Sequence, residues 1–149
     1  MTRSHRERAR VVIAGAGVAG LEAALALQHF APGRAEVELI DPGERFRLAA
    51  TATGRAFGVG SGVDVRLSTL AARAGAGLRP GRLVAVDALR HVAMLAGGEL
   101  VTYDVLVVAV GARAEPQLAE ALTFTGHRES GELRALIDAM AATAARGGR

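Results

Sequence analysis

The sequence predicts a three-layer α/β domain: a parallel sheet covered by helices, with an inserted antiparallel β-meander. Three observations predict it. A β-branched run ends in glycines and leads directly into an Ala/Leu-rich helical segment, "RVVIAGAGVAGLEAALALQHF". A second strand, "AEVELID", follows that helix. Short apolar pieces at close spacing then precede one strongly apolar strand, "YDVLVVAVGA".

The elements follow in order. Residues 1–9 are charged and are expected to form a frayed basic N-terminus. Arg10 to Ala14 read as a short buried strand, continuous, β-branched and ended by glycine. Val18 to Phe30 read as a helix, with Leu21, Leu25 and Gln28 on one stripe and Ala24 and Leu27 beside it. Pro32 and Gly33 stop it. Glu36 to Asp41 form the next strand, in which Val37, Leu39 and Asp41 alternate with Glu36, Glu38 and Ile40. Two parallel strands joined by a helix cross over right-handed almost always.

Residues 42–64 are glycine-rich and loop-like, with room for a short irregular helix. Leu67 to Ala74 read as a second helix. "AGLR", "RLVAVDAL", "HVAMLA" and "ELVTY", within residues 76–103, are divided by Pro80-Gly81 and Gly97-Gly98 and read as the meander. Val105 to Val110 are apolar on both faces, which places this strand in the middle of a covered sheet. Glu132 to Ala145 read as the last helix, with Ser130 as its N-cap. The expected division is a domain over residues 10–131 and a C-terminal helix over 132–149.

Composition narrows the function classes. With 149 residues, half of them hydrophobic, the chain can bury a core, and with 3% aromatics that core must be built from Ala, Val and Leu. There is no Cys, which excludes a disulfide framework, a thiolate nucleophile and a Cys-ligated zinc site in this sequence. Every Lys/Arg position is an arginine, and Asn is also absent, a pattern expected of codons poor in A and T. Without Lys there is no Walker A loop and no Schiff-base lysine. The net charge is only +3 and the arginines are scattered beyond "RSHRERAR", so no nucleic-acid face is implied. No apolar run is long enough for a transmembrane segment. The basic start before an apolar stretch imitates a secretory signal, but Glu22 interrupts it and the glycine spacing is more specific. A cytoplasmic location is the expectation.

The glycines Gly15, Gly17 and Gly20 have the spacing G-x-G-x-x-G between strand and helix. Gly15 lets the chain turn off the strand, Gly17 lets a pyrophosphate approach the backbone, and Gly20 lets helix and strand pack closely. The helix opening at Val18 and Ala19 offers unpaired N–H groups and the positive end of its dipole to phosphates. Asp41 ends the second strand about twenty residues further on, where a carboxylate grips ribose hydroxyls. An acid there would repel a 2′-phosphate, so the site is expected to take FAD or NAD and not NADP.

"RVVIAGAGVAGLEAALAL", "VELIDPGERF" and "RLVAVDALRHVAMLAGGELVTYDVLVVAVGARAEP" together resemble the FAD-binding half of the pyridine nucleotide-disulfide oxidoreductase superfamily. Its members without the redox cysteines, such as type II NADH dehydrogenases and sulfide:quinone reductase-like proteins, are the nearest in pattern. The resemblance spans Arg10 to about Pro116. It implies a Rossmann-like FAD-binding domain that serves an FAD-dependent NAD(P)H oxidoreductase, with a quinone or a small molecule as electron acceptor. It implies FAD at Gly15, Gly17, Ala19 and Gly20 through the pyrophosphate and at Asp41 through the ribose. It also implies adenine contacts from the backbone near Leu83, and Val110-Gly111 near the diphosphate.

The sequence departs from the family pattern in four places. Val110 replaces the usual Thr of the second fingerprint, and the loop after "DPGERF" lacks the proline often found near the flavin ring. "GVGSGV" fails the spacing of a second nucleotide motif, and a late strand ending in Gly-Asp is absent. The expectation is therefore a chain that ends where a nicotinamide domain would begin. It would leave the Val105–Val110 edge open to a partner chain or a second copy. Two alternatives stay open: an NAD-binding Rossmann subunit of a dehydrogenase, which requires helices at 76–103, and a truncated non-catalytic fragment that binds FAD. His5, His29, His91 and His127 are dispersed, so no metal site is expected, and Ser61 lies outside a nucleophile elbow. Arg45, Arg47 and Arg113 read as solvated arginines within possible reach of phosphates.

Overall fold

The computed structural model describes residues 8–60, 62–112, 118, 121–124 and 130–147. Two compact units are present. Met1–Phe46 with Val65–Gly111 form the first, and Arg47–Asp64 with Ala112–Arg149 form the second.

The first unit begins with β1 (Ala9–Ala14), α1 (Val18–Phe30) and β2 (Ala35–Asp41). The chain continues through β3 (Arg45–Arg47), α2 (Ala52–Ala56), β4 (Asp64–Arg66), α3 (Leu67–Arg73) and β5 (Gly77–Pro80). It ends in β6 (Leu83–Asp87), β7 (Val92–Leu95), β8 (Leu100–Thr102), β9 (Val105–Val108) and α4 (Ser130–Ala145).

The main sheet has the order β5-β2-β1-β9, all parallel. Successive parallel strands therefore lie in the order third, second, first, fourth, the arrangement of a doubly wound α/β domain. Strand β1 is central: Val12 and Ile13 have no exposed surface. Each such side chain contributes about 1.5–3 kcal/mol by leaving water.

Alternation along the strands builds two cores on opposite faces of the sheet. Val11, Ile13, Val37 and Leu39 pack against Leu21 and Ala24 of α1 and Leu67 and Ala71 of α3. Val12 and Ile40 pack against Ala93, Leu95 and Val101 of the antiparallel β6-β7-β8 sheet. Helices, sheet and meander thus form three layers. At the rim of the meander face, Glu38 holds both Arg10 at 3.2 Å and Arg79 at 2.7 Å, and Arg79 also pairs with Glu99.

Several expectations are corrected here. "AGLR" belongs to β5, which pairs in parallel with β2, so the meander has three strands and not four. Sequence alone does not separate the two, because Pro80-Gly81 punctuates either arrangement. The last apolar strand stops at Val108 and is an edge of the sheet among the described residues, not its middle; Val105 is 48% exposed and Val108 60%. On α1 the buried face is Gly20, Leu21 and Ala24, while Leu25 points to solvent. Small residues face the sheet because β1 lies close, as the glycine contacts described below require.

In the second unit, a single 3-10 turn (Ala49–Thr51) leads into α2, the short irregular helix the loop had room for. Ala52 and Ala56 are fully buried. Ser130 is the first residue of α4 and not its preceding cap, and its hydroxyl donates to the Ala52 carbonyl at 3.4 Å. Residues 1–7 of the basic N-terminus lie outside the described residues.

Candidate functional site

The candidate site forms where β1 ends. Sheet neighbours lie on either side of that strand, β2 on one and β9 on the other, so a crevice opens at its carboxyl end. The backbone ties the three strand ends together. Gly15 N–H donates to the Ile40 carbonyl at 2.8 Å, and Ala109 N–H donates to the Ala14 carbonyl at 2.7 Å.

Each glycine of the motif meets a different requirement. Gly15 has a φ of +104°, and a Cβ there would lie 2.2 Å from the Ala109 oxygen. A Cβ on Gly20 would lie 1.9 Å from the Gly15 oxygen, so the third glycine packs on the first. Gly17 is the reverse case. It is the N-cap of α1, in extended conformation, and nothing lies within 4 Å of where its Cβ would be. No side chain caps the helix, and Gly17, Val18 and Ala19 are exposed. The first N–H groups of a helix have no intrahelical acceptor, so this tip presents donors and a positive dipole end to open space.

Asp41 faces the same tip. Its Oδ2 accepts the Ala16 N–H at 2.8 Å and its Oδ1 accepts the Gly43 N–H at 2.8 Å. An ionised carboxylate has about four lone-pair sites, so each oxygen keeps one for a sugar hydroxyl. The second bond is an Asx turn, legible in the dipeptide that follows Asp41, Pro42-Gly43.

Beside Asp41 lies a cavity of about 460 Å³, lined by Pro42, Gly43, Glu44, Arg45, Arg66, Ser68, Leu78 and Pro80. It lies at the carboxyl ends of β2 and β5, where open α/β sheets bind ligands. The bare helix tip, the open Gly17 and the anchored acid fit a dinucleotide diphosphate and its ribose.

The other expected residues fall as follows. Val110 is 62% exposed and Gly111 has a φ of +76°; both follow Ala109, the residue against Gly15. Leu83 opens β6, is half-buried beside the second core and does not line the cavity. Arg45 lines the cavity, whereas Arg47 pairs with Asp64 at 3.4 Å. Arg113 lies outside the described residues. No group of His, Asp and Glu able to hold a metal ion occurs among the described residues.

Sequence reading missed Ala16, Gly43 and Ala109, which act through the backbone and carry no side-chain signal. It also missed Arg66, Ser68, Leu78 and Pro80, which meet only when β5 joins the main sheet.

Among the described residues, no helix is long and apolar enough to cross a membrane. No curated protein matches the sequence. Solved structures do match the fold. The sulfide:quinone oxidoreductase of Aquifex aeolicus aligns with a TM-score of 0.79 and 21% identity over 90% of this chain and 32% of that one. The putidaredoxin reductase–putidaredoxin complex aligns with a TM-score of 0.72 and 20% identity, over 89% and 35%. NDH2 of Plasmodium falciparum, solved with NADH, aligns with a TM-score of 0.68 and 17% identity, over 87% and 28%. This chain thus spans about a third of the length of the structures it resembles. The family model described as pyridine nucleotide-disulphide oxidoreductase matches residues 2–144, nearly the whole sequence. With the glycine loop, the anchored acid and the meander all in place, the chain belongs to the pyridine nucleotide-disulphide oxidoreductase family.

Proposed function

We infer that this chain is the FAD-binding part of an FAD-dependent NAD(P)H oxidoreductase that passes electrons to a quinone or another small acceptor. The family is FAD-dependent and uses NAD(P)H. The observation that carries the reading is the 2.8 Å bond from Ala16 N–H that sets the Asp41 carboxylate against the glycine loop, while Gly43 N–H holds its other oxygen. Gly15, Gly17, Val18, Ala19 and Gly20 would hold the diphosphate, and Asp41 the ribose. Val110 and Gly111 would border the diphosphate; Leu83, expected at the adenine, packs beside the second core and does not line the cavity next to Asp41.

Bound FAD supplies a ring that takes up hydride, and the protein's part is to bind and orient it. This chain contributes the neutralising helix tip and the fixed acid. The sequence holds no Cys, so its electrons are not routed through a redox disulfide of its own. A quinone acceptor is supported by the likeness to the Aquifex aeolicus protein, a sulfide:quinone oxidoreductase.

The NAD-binding subunit reading required helices at 76–103. Strands β5 to β8 lie there instead, which favours FAD. A chain that binds FAD without catalysis remains the second reading. A cytoplasmic site of action belongs to the same proposal.

An absorbance spectrum of the purified protein tests it. Yellow protein with the paired bands of oxidised flavin, or colourless protein that gains them with added FAD, is the expected result. A colourless protein that ignores FAD overturns the proposal. Turnover of NAD(P)H with a soluble quinone then separates the enzyme from the non-catalytic fragment.

A further inference from the structure

We propose that Arg66 is a specificity residue of this site, which holds the purine base of the bound nucleotide by stacking its guanidinium on the ring. The proposal rests on the nucleotide-binding reading above and extends it to the far side of Asp41.

The cavity beside Asp41 has two kinds of wall. Leu78 and Pro80 of β5 form an apolar one. Arg45 and Arg66, brought together where Leu67 N–H donates to the Glu44 carbonyl at 2.9 Å, form a cationic one. A flat, weakly polar ring suits such a cavity: one face meets hydrocarbon, and the other meets a planar cation with its own π-system.

Arg66 has the freedom this role needs. Arg10, Arg47, Arg79, Arg90 and Arg134 each have a carboxylate partner, whereas no ion pair involves Arg66 among the described residues. Its backbone is fixed in β4, and the residue is exposed and lines the cavity. The acids of this cavity are Asp41, whose oxygens already hold two N–H groups, and Glu44. A base that enters past Asp41 meets a lining that carries Arg45 and Arg66 as well as Glu44. Ser68 also lines the cavity and carries a hydroxyl for an edge of the ring.

Binding measured by calorimetry on the whole chain tests this with three probes: FAD, ADP and adenosine. Arg66→Ala should weaken all three, by roughly three- to thirtyfold. Arg66→Lys should fail to restore adenosine binding, because an ammonium lacks the planar face. If Arg66→Ala binds adenosine as tightly as the parent protein does, the stacking role is wrong. If Arg66→Lys restores full binding, a simple phosphate-facing charge replaces it. Weak binding of all three probes by the parent protein would instead sink the nucleotide reading itself. Arg66 is exposed and has no ion pair among the described residues, so circular dichroism of both variants should match the parent; a lost fold would show there.

Discussion

The backbone N–H of Ala16 donates to Oδ2 of Asp41 at 2.8 Å. This one bond joins the glycine loop after β1 to the acid that ends β2, and so it links the two halves of the candidate site. The acid is held by backbone N–H groups of the chain itself, Ala16 on one oxygen and Gly43 on the other.

Substitution of Asp41 should therefore affect both binding and stability. Asp41→Ala strips a charge-assisted acceptor from two backbone N–H groups and should cost about 1–3 kcal/mol of stability. It should also weaken FAD binding by tenfold or more. Asp41→Asn keeps an acceptor and should lose less stability than affinity. Thermal denaturation beside calorimetric titration checks both, and unchanged FAD affinity in Asp41→Ala would contradict the ribose role.

The three motif glycines should separate by function. Gly20→Ala and Gly15→Ala force a Cβ onto backbone oxygen and should prevent folding or destabilise by several kcal/mol. Gly17→Ala meets open space in an allowed conformation, so it should fold within about 1 kcal/mol of the parent. It should nevertheless bind FAD more weakly, because the methyl group stands where the diphosphate would approach. Denaturant midpoints and flavin titrations distinguish the cases.

Glu38 should matter to stability alone. Its removal leaves Arg10 and Arg79 without their shared carboxylate at a partly buried site, and Glu38→Ala should cost about 1–3 kcal/mol. The Arg79 guanidinium is held above its usual range, first by its hydrogen bond to Glu38, with burial pulling the other way and Glu99 adding to the rise. A raised pKa gives a contribution that is present below the ordinary guanidinium range and lost only as pH climbs through it. The difference between parent and variant should then be flat from neutral pH to about pH 10, as read by urea melts across that range.

The β9 edge should govern self-association. Val105 and Val108 are exposed on a strand with no partner on its outer side among the described residues. Val108→Lys should raise the solubility of the isolated chain and leave its melting temperature nearly unchanged, since charges on an edge block strand pairing. Size-exclusion chromatography at rising concentration is the measurement, and a variant as aggregation-prone as the parent would rule the edge out.

Much of this protein was legible in its residues. The bounds Val18–Phe30 of α1, the motif glycines, Asp41 and the meander are legible from local rules of turn, period and spacing. Three features needed the tertiary structure. Whether "AGLR" joined the meander or the parallel sheet depended on which neighbour offered it hydrogen bonds, and β2 did. Whether Val105–Val108 was central or at an edge depended on what lay beside it, which an apolar run does not encode. The cavity wall of Arg66, Ser68, Leu78 and Pro80 exists only because β4, α3 and β5 converge on Asp41. Local patterns fix the conformation of a segment, while a site is fixed by long-range pairing between segments, and that pairing is decided in three dimensions.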